Sequence, residues 1–169
     1  MSDPGLGAIF AELDAVGAPE PGAVLPPHHP MCLGCGPDSP QGFHLQVRRD
    51  GDEVVAEHVF EQRHQGAPGI AHGGAVATVV DDVLGFLLHV ARTPGVTRHL
   101  AVDYLRPVLV GPAYTVRGRL ESRDGRKLWM TGAGTDPDGE VAFTARGLFL
   151  AVDVSHFAVP TAGPGRVVP

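Results

Sequence analysis

The chain lacks a clean membrane-spanning run. Its most apolar stretch is interrupted by two adjacent carboxylates, Asp81 and Asp82, so no uncharged segment reaches the length a bilayer requires. The N-terminus, Met-Ser-Asp-Pro-Gly, has neither the basic residues nor the apolar core of a secretory signal, and a cytoplasmic location is the default expectation. Positive charge is scarce: 13 Lys and Arg stand against 19 Asp and Glu, a net charge of -6, which argues against general nucleic-acid binding. Only 2 cysteines occur, so there is no disulfide framework and no second pair to complete a four-cysteine metal site. No internal repeat and no second domain are visible. With 169 residues, 43% of them hydrophobic, one domain with a real core is expected.

What the sequence does have is concentrated between Gln65 and Val90. A Gly/Pro-rich loop, Gln65-Gly-Ala-Pro-Gly-Ile, leads to His72-Gly73-Gly74 and then into a long apolar segment. Val76, Val80, Val83, Leu87 and Val90 follow the spacing of one helix face. Much of the remaining circumference is also apolar or small, so this helix is expected to be buried on most sides. A carboxylate in such a helix is costly to desolvate unless it is paired or hydrogen-bonded, which marks the Asp81-Asp82 pair as a candidate site.

Around this helix the pattern is that of strands. Residues 1–41 read as an arm, with a short helix over Gly5 to Val16 and a Pro/Gly-rich linker from Gly17 to Pro30. Phe43–Arg49 and Glu53–Phe60 alternate as two strands joined by the turn Asp50-Gly51-Asp52. The helix is expected from about Gly73 to about Ala91, closed by Pro94-Gly95. Four strands follow: Thr97–Arg106, Ala113–Ser122, Lys127–Thr135 and Val141–Val152. The expectation is an α+β domain over 42–153, an antiparallel sheet wrapped around one helix. Residues 154–169 read as a disordered tail.

Several features occur together in one order. His72-Gly73-Gly74 is followed by an acid nine positions after the His, Asp81. Gln65-Gly-Ala-Pro-Gly-Ile precedes it. Asp103-Tyr104-Leu105-Arg106-Pro107-Val108 lies on the next strand with Gly111 shortly after, and Cys32-x-x-Cys35-Gly36 leads to Pro40-x-Gly42. Over roughly Cys32 to Val152 the chain resembles the hot-dog fold acyl-CoA thioesterases, in the branch of the phenylacetate-pathway thioesterase PaaI and the THEM4-like enzymes.

The resemblance implies an acyl-CoA substrate, no metal or organic cofactor, and a homodimer, with a dimer of dimers also common in that family. It implies that the N–H of Gly73, at a helix N-terminus with free amides and partial positive charge, holds the thioester oxygen. It implies that Asp81 acts as general base or as nucleophile. Asp81 lies eight residues along the same helix, about 12 Å in axial rise, so the family arrangement sets Gly73 of one chain opposite Asp81 of its dimer partner. Gly74, Thr78 and Gly85 share a helix face with Asp81 and leave room beside it. Thr97 is expected to help position the water. Gln65, with His64 beside it, falls where the family places an amide near the thioester.

Other residues carry two readings. Asp82 shares a face with Thr78, Phe86 and His89 and reads as structural. His72 reads as orienting the loop rather than as a base. Cys32-x-x-Cys35, with His28, His29 and His44 nearby, is half of a zinc pattern, but a single pair reads as packing residues in a Gly/Pro-rich turn. Arg117, Arg119, Arg123, Arg126 and Lys127 cluster on one hairpin, either as a solvated face or as a phosphate site for coenzyme A. Trp129, Met130 and Phe143 are core or acyl-tunnel residues. Two rivals remain on the same fold: a non-catalytic acyl-CoA binding module, and a dehydratase or hydratase acting on 3-hydroxyacyl thioesters.

Overall fold

The computed structural model describes residues 19–153 and Ser155. The expected helix over Gly5 to Val16 and the expected tail, Ser155 apart, lie outside the described residues. The elements are β1 (Val47–Asp50), β2 (Glu53–Val59), a 3-10 turn (Gln62–His64), β3 (Gln65–Ala67), β4 (Ile70–Ala71), α1 (Gly73–Gly85), α2 (Leu87–Val90), β5 (Gly95–Tyr104), β6 (Ala113–Asp124), β7 (Lys127–Thr135) and β8 (Val141–Ala151). Six strands form one antiparallel sheet in the order β1-β2-β6-β7-β8-β5. Helix α1 touches β2, β5, β6, β7 and β8, so the sheet wraps it in the hot-dog arrangement.

The 3.6-residue period of α1 explains this placement. Val76, Val79, Val80, Val83 and Leu84 are all buried, and they face strands whose inward positions alternate with period two. On β6, Tyr114, Val116 and Gly118 point inward while Arg117 and Arg119 point out. Three glycines let the helix come close. A Cβ at Gly118, Gly132 or Gly147 would meet Leu84 at 3.0, 3.3 and 3.3 Å, so Leu84 fills a pit floored by β6, β7 and β8. Met130 and Phe143 are fully buried core residues. Trp129 instead lies under the Arg146 guanidinium, 4.2 Å from its ring centre.

Several expectations are corrected. The long helix is two: at Phe86 the amide bonds to both the Asp82 and Val83 carbonyls at 3.2 Å, tightening the turn before α2 begins. The Gln65–Ala71 loop is the small hairpin β3–β4. The strand expected from Phe43 begins only at Val47. His44 takes a φ of 52°, and the Phe43 and Leu45 amides bond instead to the Leu33 and Gly34 carbonyls at 2.8 and 3.0 Å. Residues 19–30 are no free linker: Val24 bridges to Arg48, the Leu25 amide bonds to the Val47 carbonyl, and Leu25 is buried in the core.

Candidate active site

The site is built at the α1 N-terminus. His72 has an extended backbone and caps the helix, its Nδ1 accepting from the Gly74 N–H at 2.9 Å. That contact occupies Nδ1 and fixes the ring's orientation. Gly73 opens the helix, where the first amides have no carbonyl one turn back. Its carbonyl accepts from the Tyr104 hydroxyl at 2.7 Å, and a Cβ here would stand 3.2 Å from that oxygen. Tyr104 lies inside the Asp103–Val108 motif, whose pattern gives no sign of this contact. It is the clamp between β5 and the start of α1.

The β3–β4 hairpin flanks this terminus. Gln65 Oε1 accepts from the Gly69 N–H at 2.9 Å, so this side chain closes its own hairpin. The His72 amide bonds to the His64 carbonyl at 2.7 Å. The His64 ring is buried, stacks on Phe43 at 4.4 Å and accepts from the Glu61 N–H at 3.0 Å. Burial, followed by the nearby Arg63 charge, holds its pKa below the usual histidine value, so it stays neutral.

A cleft of about 420 Å³ brings together His64, Gln65, His72, Gly74 and Thr78. Leu33, Phe43 and Arg63 also line it. Sequence patterning gave no signal for Leu33 or Arg63, because they reach the cleft from separate loops. Thr78 donates its hydroxyl proton to the Gly74 carbonyl at 2.9 Å.

Asp81 and Thr97 do not line this cleft. Thr97, at the β5 edge of the sheet, donates to Asp81 Oδ1 at 3.0 Å. Burial raises the Asp81 pKa; the Thr97 hydrogen bond works against that shift, and the Asp82 charge adds to it. A carboxylate tuned upward but still hydrogen-bonded suits a group that must take a proton from water near neutral pH.

Asp82 turns the other way. Its Oδ1 lies 3.2 Å from His28 Nδ1, 3.3 Å from Cys32 Sγ and 3.7 Å from Cys35 Sγ. Burial raises the Asp82 pKa, and His28 opposes the shift. The His28 pKa is raised to about 9: burial lowers it, but the hydrogen bonds to Asp82 and Cys32 outweigh that. The two cysteines are therefore not plain packing residues. Of the histidines near them in sequence, His28 joins them, while His44 donates to the Gly36 carbonyl at 2.9 Å and His29 accepts from the Met31 N–H at 3.1 Å. His28 also fills the space expected beside Gly85, where a Cβ would meet its ring at 3.1 Å.

The basic hairpin is not one patch. Arg117 is paired with Asp50 at 2.7 Å and Glu53 at 3.6 Å. With Arg119 it lines a depression on the outer sheet face beside Glu53 and Asp103. Arg126 donates to the Ala151 carbonyl at 2.9 Å, and Lys127 sits at the hairpin tip opposite Asp124. Arg117 pairs with Ala133, six residues along β7 from Lys127, about 20 Å at strand rise.

A family model described as the thioesterase superfamily matches residues 68–143. Acyl-coenzyme A thioesterase THEM4 of Bos taurus is 31% identical over 117 residues, 66% of this chain and 47% of that protein. The chain thus spans about half the length of that relative. The crystal structure of a thioesterase superfamily protein superposes with a TM-score of 0.68 at 26% identity, covering 86% of this chain and 74% of the other. The E. coli PaaI protein from the phenylacetic acid degradation operon superposes with a TM-score of 0.56 at 14% identity, covering 58% and 75%. Residues 68–143 thus match a thioesterase-superfamily model, and the chain is similar in sequence to THEM4 and in its hot-dog fold to the PaaI protein.

Proposed function

We propose that the protein is an acyl-CoA thioesterase that converts an acyl-CoA and water to a carboxylic acid and coenzyme A. The observation that carries this reading is the placement of Asp81. It is a half-buried carboxylate in an apolar helix, held by the Thr97 hydroxyl, on the same helix as an N-terminus opening onto a cleft. The Gly73 N–H polarises the thioester carbonyl as charge develops on its oxygen, and Asp81 activates water or attacks the carbonyl carbon itself. The THEM4 relative is named an acyl-coenzyme A thioesterase, which supports the choice of substrate.

Within one chain Gly73 and Asp81 are about 12 Å apart along the helix axis, and Asp81 does not line the cleft. In this reading a second copy joins them. Strand β5 supports it: ten residues long, among the described residues it pairs with β8 alone, and its other edge offers backbone groups as a template for another strand. Asp81 and Thr97 sit at this edge, so pairing two copies there carries each acid toward the partner's cleft.

The test is release of free coenzyme A thiol from a panel of short, long and aromatic acyl-CoAs, run on wild type and Asp81→Asn. The expected result is turnover in wild type that falls by about 10³-fold or more in the folded variant. Binding without turnover for every thioester would replace this reading with a non-catalytic acyl-CoA module. Conversion of a 3-hydroxyacyl substrate to an enoyl product would replace it with a dehydratase.

A further inference from the structure

The His28–Cys32–Cys35–Asp82 cluster is not used by the reaction above. His28 Nδ1, the two sulfurs and an Asp82 oxygen all lie within 4.8 Å of one another. The neighbour separations are 3.2 Å for His28 to Asp82, 3.3 Å for Cys32 to Asp82, 3.7 Å for Cys35 to Asp82 and 3.3 Å for Cys35 to His28. A tetrahedron with zinc bond lengths has edges of about 3.3 Å between nitrogen or oxygen ligands and about 3.8 Å between two thiolates. The four separations above stand near those edges, and the other two lie within 4.8 Å.

The surroundings fit the same geometry. The backbone N–H of His28 points at Cys35 Sγ at 3.3 Å. Amides directed at sulfur favour thiolates, the form that binds metal. Gly34 leaves no room for a side chain: a Cβ would fall 2.2 Å from the Asp82 Cγ. The turn can close over the carboxylate only with glycine there. Asp82, with a side chain 10% exposed, has its second oxygen buried without a hydrogen-bond partner. A buried carboxylate left that way is costly, and a cation would offset the cost.

We propose that His28, Cys32, Cys35 and Asp82 form a structural site for a divalent zinc-type cation, tying the loop at 28–36 to helix α1. Four protein ligands leave no open position, which marks a structural rather than a catalytic site. On binding, the cation replaces the protons of the two thiols and of His28 Nδ1, and these go to solvent. The loop it fixes carries Leu33, which lines the cleft, and the helix residue it grips is next to Asp81. The site therefore sets one wall of the cleft against the helix. The inference does not rest on the thioesterase reading, and its test needs no activity.

The experiment is zinc content of the purified reduced protein, followed by removal with a chelator and titration of the apoprotein with Zn²⁺ against a chromophoric competitor. Cobalt(II) replaces zinc in a parallel sample. Expected are one zinc per chain, uptake by the apoprotein, and cobalt spectra with intense thiolate-to-metal bands. Cys35→Ser and Cys32→Ser should each weaken zinc binding at least 100-fold. If either variant fails to fold, the cobalt spectrum of wild type decides. No zinc uptake by folded apoprotein, or cobalt bound without thiolate bands, would overturn the proposal and leave a hydrogen-bonded cluster.

Discussion

The Thr97 hydroxyl donates to Asp81 Oδ1 at 3.0 Å, across sixteen residues and from strand to helix. The adjacent Asp82 faces His28 instead. The two neighbours face different surroundings because successive helix residues diverge by about 100° around the axis. Asp81 belongs to the β5 edge and Asp82 to the 28–36 loop.

If Thr97 holds Asp81 in its reactive form, Thr97→Val should lower kcat by about 10- to 100-fold, the range for losing a hydrogen bond to a charged group. Thr97→Ser should retain activity within a few-fold. Steady-state kinetics on the acyl-CoA panel checks this, and equal kcat in Thr97→Val and wild type would remove Thr97 from the mechanism.

Tyr104 acts on the other half of the site through the Gly73 carbonyl. Tyr104→Phe loses one neutral hydrogen bond, worth about 0.5–1.5 kcal/mol. Thermal unfolding should shift down by a few degrees, and kcat/KM should fall several-fold as the Gly73 peptide loses its anchor. A shift in melting with unchanged kinetics would make Tyr104 a purely structural clamp.

Stability should fall in mild acid because of His58. Burial first, and then the proximity of His64, lowers its pKa to about 4, and the residue is 8% exposed. The folded state therefore binds fewer protons than the unfolded chain, whose histidine titrates near 6.5. The stabilisation from a neutral His58 is complete above pH 6.5 and is lost as pH falls from there toward 4. Urea unfolding of wild type and His58→Gln at several pH values checks this. The gap between them should change by about 2–3 kcal/mol over that window, and a constant gap would contradict it.

Periodicity made most of the fold legible. Strand β7 runs over Lys127–Thr135 as the pattern indicates, and the valines of α1 are buried as their spacing requires. Where pattern was absent, so was the signal: Gln65–Ala71 contains two glycines and a proline and shows no alternation, yet it pairs as β3–β4. The Asp82 cluster was illegible for a different reason. His28, Cys32 and Cys35 reach Asp82 across 54, 50 and 47 residues, and no local spacing encodes that approach. The basic hairpin misled because residues on one hairpin need not share a face or an end: Arg117 lies in mid-sheet and Lys127 at the tip.

Whether one site takes Gly73 from one chain and Asp81 from another is decided by mixing two inactive variants. Asp81→Asn removes the acid. Gly73→Val crowds the helix N-terminus, where a Cβ already meets the Tyr104 hydroxyl at 3.2 Å. Each should be inactive alone. After subunit exchange, half of the dimers hold one chain of each kind, and each of these has one intact site, so the mixture should recover about a quarter of wild-type activity. A mixture as inactive as its two components, with exchange demonstrated, would contradict the shared site.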